Sequence, residues 1–282
     1  EIDGLRAIAV FSVILYHANF ILFNRSFFSG GFLGVDIFFV ISGYLITSII
    51  LKEIYTKNNF SFINFYERRI RRIIPALLFV MLCILPFAYT LLLVKPIIDF
   101  SKSIISSILF ISNLYFHYTH NRYGEEHTLL KPFLHTWSLS VEEQFYILFP
   151  ICLILIIKFF RKYLLILLTT GFLVSISFSQ YSSIYHSSFN FYQIFSRGFE
   201  LLLGSFLSYF EINNGVGGRR RTNKLLNQLL TTIGIFLIIF SFFFFSDKDL
   251  LPSFYSLIPL SGVCLIIWFS NKNVIIDRKS TR

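Results

Sequence analysis

The chain has 282 residues, 55% of them hydrophobic and only 14% charged, more apolar surface than a water-soluble fold of this size can bury. Its net charge of +10 does not point to nucleic acid, because the basic residues cluster at the ends of apolar segments and not along one soluble face. The apolar runs are continuous and helix-length, which excludes a β-barrel with its period-two alternation. The expected fold is therefore an all-α polytopic transmembrane bundle, with the lipid bilayer as its first partner.

Candidate spans fall at roughly residues 5–23, 34–51, 73–94, 142–160, 163–179, 191–210, 228–245 and 254–270, each near the ~20 residues that cross a bilayer core. Residues 103–118 are shorter and rich in Ser and Asn, and read either as a span or as an interfacial or re-entrant piece. Loop charge favours the second option. With a cytoplasmic amino terminus and no crossing there, the inside segments hold about 17 Lys and Arg against about 6 outside. A crossing there would put the basic run GGRRRTNK outside. The expectation is eight crossings plus one non-crossing element, with NNGVGGRRR near 213–221 as an inside loop. Cys83, Cys152 and Cys264 all lie inside apolar runs, so neither a disulfide framework nor a zinc site is expected.

Ionisable groups at membrane depth are costly, by at least ~2.5–3.5 kcal/mol, and are functional candidates by default. Arg6 and His17 share the first span. Their offset of eleven positions is about 1100°, within about 20° of three full turns, so both occupy one helix face, about 16 Å apart along the axis. A cation near the cytoplasm and an imidazole deeper in suit a donor with phosphates and a long thioester arm. The imidazole can take a proton from a hydroxyl near neutral pH or be acylated itself. The bland alternatives are a histidine bonded to a neighbouring backbone and an arginine snorkelling at a helix end.

In GGFLGVDIFFVISGYLI, Asp36 stands at the outer start of the second span, at a depth near His17, where it either orients the imidazole or complements a helix N-terminus. Gly30, Gly31, Gly34 and Gly43 in the same run permit close helix approach. The run FYERRIRRIIP carries Arg68, Arg69, Arg71 and Arg72, guanidinium groups that fork onto phosphate oxygens or anchor the chain on anionic lipid. In LHTWSLSVEEQFYILFP, Ser140 and Glu143 fit a capping box, while His135, Glu142 and Trp137 offer a base, an acid and an aromatic platform for a sugar. Arg197 and Glu200, three apart, are expected to pair structurally. His117, His120, His127 and His186 show no metal-ligand spacing and carry no assignment.

Four motifs, DGLRAIAVFSVILYH, GGFLGVDIFFVISGYLI, FYERRIRRIIPAL and LHTWSLSVEEQFYILFP, occur in the order seen in the bacterial acyltransferase-3 family, which the chain resembles. The resemblance implies a multi-span plasma-membrane O-acyltransferase. It would move an acetyl group from cytoplasmic acetyl-CoA to a glycan such as lipopolysaccharide O-antigen, exopolysaccharide or peptidoglycan. It implies essential roles for Arg6 and His17, for Arg69 and Arg72 as the Arg-x-x-Arg element, and for Glu142 in the acidic element. The chain reads as one membrane-embedded domain of a truncated member, without the family's last spans or a following extracytoplasmic domain.

The expected site therefore comprises His17, Asp36 and Glu142 for the chemistry, Arg6, Arg68, Arg69 and Arg72 for the acetyl-CoA donor, and His135, Trp137 and Glu143 for the acceptor. No metal and no nucleic acid are expected. The rival from another class is a transporter or flippase whose intramembrane charges line a path. A purely structural subunit leaves the four motifs unexplained.

Overall fold

A computed structural model describes residues 2–18, 21–22, 25–26, 28–119, 131–213 and 223–270. Its helices are α1 (Ile2–Ala18), α2 (Gly34–Lys57), α3 (Phe62–Leu91), α4 (Val94–Ile108), α5 (Ser112–Thr119), α6 (Thr136–Phe160), α7 (Leu164–Tyr185), α8 (Ser187–Tyr192), α9 (Ile194–Asn213), α10 (Lys224–Phe244) and α11 (Leu257–Phe269). A two-residue antiparallel ladder, β1 (Ile21–Leu22) with β2 (Arg25–Ser26), and a 3-10 turn at Gly31–Leu33 lie between α1 and α2. The chain thus forms the expected helical membrane bundle. The segment 31–57, α3 and α10 are each long and apolar enough to cross a bilayer. The inside loop expected at 213–221 and the histidines at 120 and 127 lie outside the described residues, apart from Asn213.

Two helices form the centre. α2 is buried on nearly every side, with Phe39, Ile46 and Ile50 in one apolar cluster and Ile37, Val40 and Ile41 in another. It crosses α9 where backbones almost touch: a Cβ on Gly43 would lie 1.8 Å from the Leu201 carbonyl, and one on Gly204 1.9 Å from that of Val40. Thr47 and Ser205 exchange a hydrogen bond of 2.9 Å at the same crossing. Helices α1, α10 and α11 pack on one side of this pair, and α5 to α8 on the other.

Peripheral helices face lipid. On α3, Phe79, Leu82 and Phe87 are 68%, 66% and 66% exposed, an apolar band that water would not tolerate at this extent. α3 also begins eleven residues before the predicted span, so the arginine run lies inside a helix and not in a loop. Ser61 starts it, accepting from the Asn64 N–H at 3.4 Å. Thirty residues make about 45 Å, longer than the ~30 Å core, and leave the arginine turns at the membrane edge.

The stretch at 103–118 is not one helix. Phe110 takes a φ of 54° between α4 and α5, a left-handed kink that a bulky residue adopts only when neighbours hold it. The serines and asparagine seen in the sequence hold it. Ser107 bonds Thr136 at 2.7 Å, Ser112 bonds Ser140 at 2.7 Å, and Gln144, itself bonded to Asn113, donates to the Phe110 carbonyl at 2.9 Å. Fifteen and eight residues span only about 22 and 12 Å, short of a crossing. Ser140 is therefore a buried anchor in the second turn of α6, and the capping box expected with Glu143 does not form, because the helix begins at Thr136.

Candidate functional site

α1 lies against the turn before α2, where glycines let the backbones approach: a Cβ on Gly34 would sit 2.4 Å from Ser12 Oγ and 2.5 Å from the Ala9 carbonyl. This contact buries Leu5, Ala9 and Ser12 and leaves Arg6 and His17 to face elsewhere. Arg6 Nη1 lies 3.5 Å from Asp3 Oδ1 one turn back. His17 occupies the last turn of α1, shallower than the span expected to 23, and is exposed. Its Nδ1 lies 2.8 Å from the Val13 carbonyl. A carbonyl only accepts, so Nδ1 carries the ring hydrogen of the neutral imidazole and Nε2 presents its lone pair.

Both side chains look across to α6. Glu142 is within electrostatic reach of Arg6 and of Arg69 on α3, and His135, at the start of α6, is within reach of His17. α2 lies between as a floor: Ser42 Oγ donates to Glu142 Oε1 at 3.0 Å. Tyr146, one turn further along α6, donates to Glu142 Oε2 at 3.3 Å, and the Arg69 guanidinium lies 4.0 Å from the centre of the Tyr146 ring. Tyr66 ties α3 to α6 by bonding the Tyr146 and Ile147 carbonyls at 3.2 and 3.3 Å. Glu143 is buried, faces Arg69 and Glu142, and its Oε1 has no hydrogen-bond partner among the described residues.

α1 and α6 both pack on α2, which leaves a groove between them; Arg6, Arg69 and Glu142 flank it at one level and the imidazoles of His17 and His135 at another. His135 is solvent-exposed, yet surrounding protein still desolvates its ring. That desolvation is the main force holding its imidazole below its ordinary 6.5, the charge His17 takes on when protonated adds to it, and a bond to the Pro132 carbonyl opposes it. Such a groove can receive anionic oxygens at one end and accept a hydroxyl proton at the other.

Three expectations need correction. Asp36 does not reach His17: its carboxylate bonds Arg197 Nη1 at 2.8 Å, and the same nitrogen bonds Glu200 Oε1 at 2.9 Å. Arg197 and Glu200 do pair as expected, but as part of a buried triad with Asp36, and Arg197 is further boxed by the rings of Phe191, Trp137 and Phe39 at 4.8, 5.4 and 6.0 Å. Trp137 is consequently 2% exposed and offers no sugar platform. Of the arginine run, Arg69 alone turns to the groove; Arg68 reaches Glu53 at 3.9 Å, Arg71 pairs with Glu67 at 2.7 Å, and Arg72 is exposed without an ion pair among the described residues. The sequence reading missed Ser42 and Tyr146. The spacing of Tyr146 four residues after Glu142 was the available signal for one; nothing marked Ser42 apart from other serines.

A family model described as Acyltransferase domain matches residues 1–278. O-acetyltransferase OatA of Staphylococcus aureus strain NCTC 8325 / PS 47 is 38% identical over 186 residues, covering 63% of this chain and 29% of that protein. A protein of strain COL, named "Putative O-acetyltransferase SACOL0978", is 42% identical over 161 residues, covering 57% of this chain and 26% of the relative. The chain thus spans less than a third of the length of either relative. No solved structure matches it.

Proposed function

The chain belongs to the acyltransferase domain family, and from that premise we propose that it transfers an acetyl group from cytoplasmic acetyl-CoA to a hydroxyl of a cell-surface carbohydrate. On this reading the protein lies in a bacterial plasma membrane, crosses it eight times and has its amino terminus inside, the orientation favoured by loop charge. The observation that supports the proposal is that Arg6 and Arg69 both lie within electrostatic reach of Glu142, while His17, whose Nδ1 is engaged by Val13, presents its Nε2 lone pair on the same helix as Arg6.

The parts then take these roles. Arg69 and Arg6 receive phosphate oxygens of the donor, with Arg72 one helical turn from Arg69 at the membrane edge. Glu142, held by Ser42 and Tyr146, keeps the two guanidinium groups spread at the mouth of the groove. The thioester arm lies along α1 toward His17, about 16 Å away. Nε2 of His17 takes the proton of the acceptor hydroxyl as its oxygen forms the new C–O bond; the C–S bond breaks and the thiolate leaves as CoA. His135, kept neutral near pH 7, stands beside the acceptor without adding a second positive charge.

The test is consumption of acetyl-CoA by purified protein in lipid nanodiscs, followed as thiol release with a glycan acceptor present. Wild type should release thiol and acetylate the glycan, and His17→Ala should lower the rate about 10²–10⁴-fold at unchanged expression and membrane insertion. Full activity in His17→Ala would overturn the reading. A transporter would move solute without consuming acetyl-CoA, and of the charges that would line its path Asp36, Arg197 and Glu200 are sealed in a buried triad.

A further inference from the structure

A second concavity, of about 630 Å³, opens where the C-terminal end of α7 meets α5 and α8. Tyr181 and Tyr185, one helical turn apart, have ring centres 4.9 Å from each other and are 57% and 64% exposed. Across from them stands His117, whose Nδ1 lies 3.0 Å from Ser188 Oγ and whose ring meets Phe189 edge-on at 5.5 Å. His186 and Ser187 complete the wall. Among the described residues, none that lines it is Lys, Arg, Asp or Glu.

This chemistry selects a ligand class. With no charged group among the described lining residues, nucleotides, phosphorylated headgroups and carboxylates find no ionic partner on these walls. An acyl chain would leave the hydroxyl and imidazole groups unsatisfied. Flat aromatic faces beside neutral hydrogen-bonding groups fit a molecule with one apolar face and a rim of hydroxyls, which is a sugar ring. Burial holds the His117 imidazole below 6.5, hence neutral, and its Nδ1 is engaged by Ser188, so the second ring nitrogen is the one left for a ligand hydroxyl. The volume falls within the ~300–1,000 Å³ of small-ligand clefts. Tyrosines that merely belt the membrane interface face lipid from a convex surface; these line a hollow with a polar opposite wall.

Phe191 and Tyr192 of α8 pack on Trp137 with ring centres 4.6 and 5.6 Å away, so the cleft is built against the aromatic core that encloses Arg197. We propose that this cleft is a sugar-binding site that holds a neutral residue of the acceptor chain, apart from the residue that receives the acetyl group. The proposal rests on the reading of a glycan acceptor.

The experiment measures equilibrium binding of a neutral N-acetylhexosamine oligosaccharide to the full chain in lipid nanodiscs, free of sugar-headed detergent, by calorimetry. Wild type should bind. The double variant Tyr181→Ala with Tyr185→Ala should bind about tenfold more weakly, His117→Ala should weaken binding to a similar degree, and Tyr181→Phe with Tyr185→Phe should keep most of it by retaining the rings. Acetyl-CoA binding should be unchanged in all of them. A wild type that ignores the oligosaccharide, or alanine variants that bind it as well as wild type, would overturn the subsite. Oligosaccharide binding through the tyrosines with no thiol release from acetyl-CoA would instead leave the subsite standing and remove the acyl-transfer reading.

Discussion

Two charged constellations sit a few turns apart in this bundle, and they use the same side chains to opposite ends. In the core, Arg197 is saturated by Asp36, Glu200 and three aromatic rings, and all three charged residues are at most 1% exposed. In the groove, Arg6, Arg69 and Glu142 meet with fewer partners, beside two exposed imidazoles. The contrast teaches that an intramembrane charge does not announce a function by its type. A group whose charge is paired and sealed from solvent holds helices together, and one that is loosely paired and reachable can meet a ligand.

The sealed side should fail by unfolding. Arg197→Met leaves two carboxylates buried without their cation and is expected to cost about 3–5 kcal/mol, read as a lowered denaturation midpoint in nanodiscs. The open side should fail by losing activity. Glu142→Gln keeps the side chain's shape and one accepting oxygen, its amide N–H donating to the other hydroxyl, but removes the charge facing Arg6 and Arg69. It should lower acetyl transfer roughly 10–100-fold, the size seen when a supporting partner of a reacting group is lost, while the denaturation midpoint stays put. If Glu142→Gln unfolds the protein and Arg197→Met does not, the two regions have been assigned the wrong way round.

The sequence made part of this contrast legible. The eleven-residue offset between Arg6 and His17 puts both on one face, and each lies within electrostatic reach of a group of α6 or its cap, Glu142 and His135; helical periodicity fixes azimuth within one element. It could not fix azimuth between elements. Asp36 was matched to His17 by depth alone, yet it lies six residues before Ser42, about 600° or 120° round the helix, so it faces α9 when Ser42 faces the groove. The same limit misled the acceptor assignment. His135 and Trp137 are two apart and turn about 200° from each other, which sends the histidine to the groove and the indole to the Arg197 box. The interruption at Phe110 was foreshadowed by its serines and asparagine, whereas the inclusion of the arginine run in α3 was not, since arginine is equally at home in a helix or a loop.

Smaller changes sharpen the comparison. Arg69→Lys keeps the charge but loses the planar fork and its stacking on Tyr146, and should raise the KM for acetyl-CoA about tenfold with kcat little changed. The smallest effect concerns pH. Because His135 is held below 6.5 in the folded protein, the unfolded chain takes up this proton first as pH falls. Its contribution is therefore constant above 6.5, and stability is withdrawn as pH drops from there to the folded-state value. His135→Gln should flatten that part of the stability profile, measured by denaturation at a series of pH values, and leave the neutral side unchanged.

Site-directed labelling addresses the groove itself. In a background with Cys83, Cys152 and Cys264 replaced by serine, single variants His17→Cys, His135→Cys and, as a sealed control beside Arg197, Ser196→Cys would be reacted with a small polar maleimide with and without acetyl-CoA. The account predicts rapid labelling at positions 17 and 135, slowed at both by acetyl-CoA, and none at 196. Labelling at 17 and 135 that acetyl-CoA leaves untouched, or slows at only one of them, would contradict a single groove that receives the donor.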